Sequence, residues 1–211
     1  MIFVTQAHKL EFFKVFTYKL GEGDAFSHVI LFSIVIAASF IASGLNSIAS
    51  TSFTREGVHL DMLKYLPISL DKQIKSKALI ALLFTFIPLV IAIAIATIGL
   101  GAYYMLPLYA VVSFISVLIA TMIGMLMDSI SPYLVWSDEL SALRGNLNCF
   151  FNLAAQMVAA LAIGAASFGI YKLFNNSIVT LISITIVLIV SGLVASIVGM
   201  PKMRENIESL K

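Results

Sequence analysis

Charged residues are scarce in this sequence. Only 11% of its 211 residues are Asp, Glu, Lys or Arg, whereas 60% are hydrophobic. Ordinary soluble domains carry about 25% charged residues, so the composition excludes a soluble globular domain and predicts an integral membrane protein. Cysteine is almost absent as well. The single cysteine, Cys149, excludes a disulfide framework within the chain.

The motifs of common enzymes are also lacking. The sequence has no G-x-x-x-x-G-K-[ST] phosphate-binding loop, no H-E-x-x-H zinc motif and no G-x-S-x-G nucleophile motif. His8, His28 and His59 lie far apart, and none has a metal-ligating partner at helical spacing. No charge lies in the middle of an apolar run, where ion-coupled pumps usually carry one. We therefore expect no catalytic residue, no metal and no cofactor, and we predict that the chain is not itself an enzyme.

The long uncharged runs predict an all-α, polytopic membrane protein with five spans in a single transmembrane domain, residues 1–211. About 20 apolar residues suffice to cross a bilayer. The predicted spans are residues 26–53, 77–99, 108–127, 145–173 and 178–200, separated on one side by loops 54–76 and 128–144. Residues 1–25 are not a span. Phe12, Phe13 and Phe16 would share one face of a helix there, which is typical of an interfacial helix, and a frayed tail is the alternative.

Prolines and acidic residues predict where several helices begin and end. Pro67 should stop a short helix in the first loop, because proline disfavours helix in the residue before it. Ser69 is the expected N-cap of the next helix, with Asp71 in its first turn. Asp128 is expected to end the third span and Pro201 the fifth. Pro88 lies inside the second span, where neighbouring helices can tolerate it.

The segment from Arg55 to Lys77 determines the predicted topology. It holds five of the thirteen Lys and Arg residues: Arg55, Lys64, Lys72, Lys75 and Lys77. Basic residues in short loops stay on the cytoplasmic side. The chain should therefore lie in the cell membrane with its amino end outside and its carboxyl end in the cytoplasm. The segment is also the part of the chain best placed to contact a soluble partner.

Two spans carry polar stripes. In the first span, the stripe is Ser39, Ser43, Asn46, Ser47 and Ser50, and in the fourth it is Arg144, Asn148, Asn152 and Gln156. Spacings of three and four residues place each stripe on one face of a helix. Small and amide side chains promote helix packing in membranes, whereas polar groups lining a wet path have a transport role. Both interpretations stay open for Ser43, Asn46, Arg144, Asn148, Asn152 and Gln156.

Two further motifs resemble a known family. The run R-E-G-x-x-L-D-M-L-K-Y-L-P-I-S from Arg55 to Ser69, followed by Lys77, is similar to the inner loop of ABC-2-type exporter permeases. A second segment resembles the region between later spans of large bacterial permeases of this type. Its matching positions are Asp128, Pro132, Leu134, Trp136, Glu139, Ala142, Asn146 and Asn148.

The resemblance implies a permease subunit of an ATP-driven exporter. Its expected partners are a separate ABC ATP-binding subunit, a second permease chain (the same or different) and the lipid bilayer. Since such permeases usually have six spans per unit, the chain is expected to be the later part of a longer permease. A non-transporting membrane assembly or anchoring subunit is the alternative. No feature indicates nucleic acid as a partner.

By the same resemblance, residues 55–66 would form a coupling helix that docks on the ATP-binding subunit. The residues assigned to this coupling are Arg55, Glu56, Gly57, Leu63, Leu66 and Pro67. Met62, Leu63 and Leu66 are the expected apolar contacts of that helix. A basic loop that lies on anionic lipid headgroups is the simpler alternative.

Overall fold

Helices form the regular structure of the chain in this computed structural model, which describes Tyr18, residues 24–136, Asp138 and residues 142–143 and 145–209. In chain order they are α1 (Ala25–Leu45), α2 (Met62–Tyr65), α3 (Leu70–Gly99), α4 (Leu106–Ile130), α5 (Leu147–Phe174) and α6 (Ser177–Ser209), with 3-10 helices at Thr54–His59 and Tyr103–Met105. Within the described part, five helices are long and apolar enough to cross a membrane. The predicted all-α, polytopic membrane fold is confirmed. The interfacial helix predicted for residues 1–25 lies almost wholly outside the described residues.

The long helices alternate in direction, so their connections gather at two ends of the bundle. We call one the loop end, which holds residues 46–69, 131–136 and 200–209; the opposite end holds residues 100–105 and 175–176. At the opposite end, the Tyr104 hydroxyl lies 3.1 Å from His28 Nε2. At the loop end, Asn206 Nδ2 donates to Ser129 Oγ at 3.0 Å. The α1 helix therefore begins at the opposite end and α6 finishes at the loop end.

The buried apolar side chains form two clusters. One lies toward the opposite end and includes Phe32, Ile36, Phe40, Tyr109, Val112, Ile184 and Leu188. The other lies at the loop end and includes Phe53, Leu60, Leu63, Ile74, Met125, Met203 and Ile207. The second cluster joins α3, α4 and α6 to the segment that follows α1. The loop end is therefore packed against the bundle and is not a loose connection.

The first span is shorter than predicted. The α1 helix ends at Leu45, not near Phe53, because Asn46 has extended backbone angles (φ −83°, ψ 100°). The Asn46 side chain accepts a hydrogen bond from Ile48 N at 3.2 Å and donates to Thr85 Oγ1 at 2.7 Å. These bonds hold the chain as it leaves the helix. The predicted polar stripe is wrong beyond this point, since its last members lie outside the helix: Ser47 and Ser50.

The fifth long helix is longer than predicted. The α6 helix passes through Pro201 and ends at Ser209. Proline removes one helical hydrogen bond, but Met203 and Ile207 beyond it are fully buried in the loop-end cluster. Their burial favours continuing the helix across the surface of the bundle. The α3 helix likewise contains Pro88 in its interior, as expected for the second span.

The end of α4 and the start of α5 both differ from the predicted span boundaries. Asp128 does not end α4, which continues to Ile130 and leaves Asp128 in its last turn. The α5 helix begins at Leu147, where Asn146 is the N-cap and accepts from Asn148 N at 2.8 Å. Asp128 and Asn146 are thereby brought to the same end of the bundle.

Candidate functional site

Asp128 is fully buried at the loop end and accepts four hydrogen bonds. Its Oδ2 accepts from the backbone N–H groups of Phe53 at 2.7 Å and Thr54 at 3.0 Å. Its Oδ1 accepts from the Thr54 hydroxyl at 2.6 Å and from Asn148 Nδ2 at 3.2 Å. An ionised carboxylate offers about four acceptor sites, so these donors use its full capacity. A buried charge is costly unless it is paired or hydrogen-bonded, and within the described residues Asp128 forms no ion pair.

The Thr54 side chain is the second centre of this network. Its hydroxyl donates to Asp128 and accepts from Tyr133 N and from Asn146 Nδ2, both at 3.0 Å. A hydroxyl has one donor and two acceptor sites, so Thr54 is also fully used. The network joins the segment after α1 to the end of α4 and to the start of α5. We call Thr54, Asp128, Asn146 and Asn148 the Asp128 cluster.

Asn146 and Asn148 connect the cluster to α5. Asn148 Nδ2 donates to Asp128 and also to the carbonyl of Ser131 at 2.9 Å. Asn146 caps α5 with its Oδ1 while its Nδ2 donates to Thr54. Each amide group therefore spans two segments of the chain. Removing either one would leave a buried polar group of another segment without its partner.

Gly57 lies against Trp136, at a place where the two motifs meet. Its backbone angles are φ 55° and ψ −138°, a region that glycine adopts far more readily than other residues. A Cβ at this position would lie 3.0 Å from Cζ2 of Trp136. The indole Nε1 of Trp136 donates to the carbonyl of Thr54 at 2.9 Å. The Arg-Glu-Gly motif and the Asp-to-Asn motif, far apart in sequence, thus form one structural unit.

The expected coupling helix is broken into two short pieces. Thr54–His59 is a 3-10 helix interrupted at Gly57, and α2 is a single turn, so the prediction of one helix over residues 55–66 is wrong. Leu66 is extended (ψ 143°) before Pro67, as the proline predicted. Ser69 occupies the N-cap position of α3 with Asp71 in the first turn, which confirms that boundary.

Several side chains hold this broken loop against α3. Lys77 Nζ pairs with Glu56 and also donates to the carbonyl of Ser52 at 3.0 Å. Gln73 Nε2 donates to the carbonyls of Leu63 at 3.0 Å and Ile68 at 2.8 Å. Together with the Asp128 cluster, these contacts hold the loop at its start, middle and end.

The loop presents apolar side chains to its surroundings. Of the expected contacts, only Leu63 is buried, whereas Met62 and Leu66 are exposed. Tyr65 is 86% exposed, among the most exposed large side chains of the described residues. We call the exposed apolar set of this segment the loop face: Val58, Met62, Tyr65, Leu66 and Ile68. Arg55 is turned away toward the preceding segment, where Nη2 donates to the carbonyl of Ile48 at 3.1 Å.

The described members of the predicted polar stripe of the fourth span, Asn148, Asn152 and Gln156, are buried inside the bundle. Asn152 and Gln156 are both fully buried, and Gln156 Nε2 donates to Asn152 Oδ1 at 3.0 Å. A Cβ on Gly124 would lie 3.1 Å from Asn152 Oδ1, and one on Gly44 would lie 3.1 Å from Gln156. Asn152 Nδ2 and Gln156 Oε1 have no hydrogen-bond partner within the described part of the chain. This stripe therefore packs between helices while keeping unused polar atoms.

Two of the other predicted pathway residues lie at the end of α1. Ser43 is buried within α1, and Asn46 bonds to Thr85 of α3. Arg144 and Glu139 lie outside the described residues. Among the residues that the structure describes, no group of three or more His, Cys, Asp or Glu could hold a metal ion.

Sequence reasoning missed the central role of Thr54 and Asp128. Asp128 was expected to end a span and to be one position of the second motif, but not to be the centre of a network, and Thr54 was not singled out. A usable signal was present, because Asp128 is the first charged residue after the long uncharged run of residues 78–127. An acidic side chain at the end of such a run needs hydrogen-bond donors, but the sequence does not say which segment supplies them.

Comparison with known proteins identifies no relative: no protein-family model, no curated protein and no solved structure matches this chain.

Proposed function

We propose that this chain is a membrane-spanning permease subunit of an ATP-driven, ABC-2-type exporter. It lies in the cell membrane with its amino end outside and its carboxyl end in the cytoplasm. A separate ATP-binding subunit binds at residues 55–66, and a second permease chain completes the pathway. The observation that carries this proposal is the loop face, an exposed apolar surface held on a braced loop at the basic end of the bundle.

The bracing is what gives the loop face a mechanical role. The loop is bonded to α4 through Asp128, to α5 through Asn146 and to α3 through Lys77. A force applied to the loop face therefore reaches three membrane helices, through buried hydrogen bonds to α4 and α5 and a partly buried one to α3. Rigid-body motions of packed elements are a common way to transmit a switch in a partner. A movement of the ATP-binding subunit would tilt these helices together.

Tyr65 and Met62 are the residues that we expect to contact the partner. Burying a large apolar side chain contributes about 1.5–3 kcal/mol, and each 1.4 kcal/mol is about tenfold in affinity. Leu63, in contrast, is buried within this chain and supports the loop from behind. Glu56, Gly57 and Pro67 fix the shape of the loop and do not belong to the loop face.

The test is co-purification from the native host. The tagged chain is extracted in mild detergent, and the retained ATP-binding subunit and its ATP hydrolysis are measured. A Met62→Ser, Tyr65→Ser variant should retain at least about tenfold less of that subunit. A matched control, Leu173→Ser with Phe174→Ser, changes two equally apolar exposed residues at the opposite end and should retain it fully.

A second function is favoured by a different observation. Asn152 and Gln156 pack between helices within a single copy, which also suits a non-transporting membrane assembly or anchoring subunit. The co-purification experiment separates the two functions. A well-folded chain that retains no ATP-hydrolysing subunit would contradict the exporter proposal and support the anchoring function.

A further inference from the structure

A cavity of about 430 Å³ lies beside the Asp128 cluster, between the turn that follows α1 and the segment that precedes α5. Its volume is within the range of small-ligand sites, about 300–1,000 Å³. The described residues that line it are Ser47, Ile48, Thr51, Arg55, Trp136, Ala142 and Leu143. None of these residues belongs to the loop face. The cavity is therefore separate from the loop face, although Arg55 is the first residue of the segment proposed to bind the ATP-binding subunit.

Arg55 gives the cavity a fixed positive charge. Its Nε donates to the carbonyl of Thr51 at 3.3 Å and its Nη2 to the carbonyl of Ile48 at 3.1 Å. These two bonds hold the guanidinium in place, and of its five N–H groups three remain to bind a ligand. Glu56, the nearest acid in sequence, pairs with Lys77. Within the described residues Arg55 forms no ion pair with a carboxylate.

The rest of the lining is amphipathic. Ser47 contributes a hydroxyl and Trp136 an indole, whereas Ile48, Ala142 and Leu143 contribute apolar surface. Tryptophan is enriched where a protein meets the interface between water and membrane. The cavity also lies at the end of α1, one of the candidate spans. A guanidinium next to hydroxyl and apolar groups at this depth suits a ligand with a phosphate and a hydrocarbon chain.

We propose that this cavity binds the headgroup of an anionic glycerophospholipid. The lipid phosphate accepts hydrogen bonds from the free N–H groups of Arg55 and from the Ser47 hydroxyl. The first part of an acyl chain lies against Ile48 and Leu143. Because Trp136 also packs on Gly57 and bonds to Thr54, a bound lipid would contact the same side chain that supports the loop.

Trp136 makes the proposal directly measurable, because it is the only tryptophan in the chain. The full chain is reconstituted in vesicles that contain equal fractions of phosphatidylglycerol and phosphatidylcholine. In one preparation the phosphatidylglycerol carries brominated acyl chains, and in the other the phosphatidylcholine does. Bromine quenches tryptophan only at close range. Brominated phosphatidylglycerol should quench Trp136 with an apparent affinity about fivefold higher, as expected for one basic side chain near an anionic headgroup.

Two variants test whether the preference comes from this cavity. Arg55→Gln should abolish the preference for phosphatidylglycerol. Lys72→Gln removes the same charge from an exposed position of the same segment that is not part of the lining, and it should keep the preference. An unchanged Trp136 emission spectrum in pure phosphatidylcholine vesicles verifies that each variant is folded.

Three results would overturn the proposal. Equal quenching by the two brominated lipids would show that Trp136 meets lipid without selecting a headgroup. Equal loss of the preference in Arg55→Gln and Lys72→Gln would assign it to the general charge of the loop. If inorganic phosphate alone removes the preference by displacing the brominated lipid, the site binds free phosphate and the lipid chain contributes nothing.

Discussion

The Asp128 cluster and the Asn152–Gln156 pair are alike in sequence and opposite in structure. Both use amide side chains from one stripe of α5, in which Asn148, Asn152 and Gln156 follow one another at intervals of four residues. At the loop end, Asp128 and Thr54 have every acceptor and donor in use. One and two turns deeper in the bundle, Asn152 Nδ2 and Gln156 Oε1 have no partner among the described residues. The Asp128 cluster is therefore held in one arrangement by its hydrogen bonds, whereas the Asn152–Gln156 pair keeps buried polar atoms without a partner.

The comparison shows that one polar stripe can have two structural roles. Asn148 belongs to the Asp128 cluster because two acceptors lie beside its amide group. They are Asp128, in the last turn of α4, and the carbonyl of Ser131, directly after that helix. Asn152 and Gln156 face Gly124 and Gly44, which allow close approach but offer no side-chain partner. An unsatisfied buried polar group costs about 1–3 kcal/mol. Asn152 and Gln156 are therefore the part of the stripe where a change in helix packing would lower the free energy of unfolding least.

The largest expected effect is at Asp128. An Asp128→Ala variant leaves two backbone N–H groups and the Thr54 hydroxyl without their acceptor, and it removes one of the two acceptors of Asn148 Nδ2. The free energy of unfolding in detergent should fall by at least about 3 kcal/mol, since each abandoned buried donor costs about 1–3 kcal/mol. The measurement is an unfolding curve followed by Trp136 fluorescence.

The control for this variant is another acid at the loop end. Asp61 is exposed and pairs with the neighbouring Lys64 at 2.9 Å, so Asp61→Ala should change the same free energy by less than about 1 kcal/mol. Equal losses in the two variants would remove the distinction between the buried cluster and the surface of the loop.

A smaller effect is expected at Gly57. An alanine there must adopt φ 55° and bring a Cβ within 3.0 Å of the Trp136 ring. The strain alone costs about 1–3 kcal/mol, and the indole must also move. Gly101→Ala is the matched variant, because Gly101 has φ 74° with no atom within 4 Å of the added Cβ. Gly57→Ala should therefore be the more destabilising of the two and should alone shift the Trp136 emission spectrum.

The smallest effect is expected at the unsatisfied pair. Replacing both members with apolar residues of similar shape, Asn152→Leu with Gln156→Met, removes their mutual bond, both unused atoms and the 3.3 Å bond from Gln156 Nε2 to the Ala120 carbonyl. Such paired replacements are often nearly neutral, so the free energy of unfolding should change by less than about 1 kcal/mol. Asn148→Leu should cost about 1–3 kcal/mol, because Asp128 and the Ser131 carbonyl lose a donor. If the double variant lowered the free energy of unfolding as much as Asn148→Leu does, the two regions would not differ in stability.

The sequence predicted the helical architecture well, because long uncharged runs leave few alternatives. The all-α fold, the five spans and the Ser69 boundary follow from composition and local signals. Helix ends were less predictable. The α1 helix stops at Leu45 through the side chain of Asn46, and α6 continues past Pro201 through burial of Met203. Both outcomes depend on tertiary contacts that no local pattern contains.

Several residues of the candidate site were singled out from the sequence, but Thr54 was missed and the arrangement was not predicted. Gly57, Trp136 and Asn148 were each singled out by motif, yet nothing in the sequence says that Trp136 packs on Gly57. The resemblance implied that the loop is one helix, with Met62, Leu63 and Leu66 as its apolar contacts. The positive φ of Gly57 breaks it instead, and Met62 and Leu66 end up exposed. Such a break depends on the contact with a distant segment.

One measurement tests the central claim most directly. A photoreactive phenylalanine analogue is placed at Tyr65, and the chain is illuminated in native host membranes. We expect a cross-link to an ATP-hydrolysing subunit. Asp128→Asn should weaken this cross-link strongly, because the loop loses its support. Cross-links to lipid alone, or a protein cross-link that Asp128→Asn leaves unchanged, would contradict the claim that the Asp128 cluster holds this loop in place for a partner.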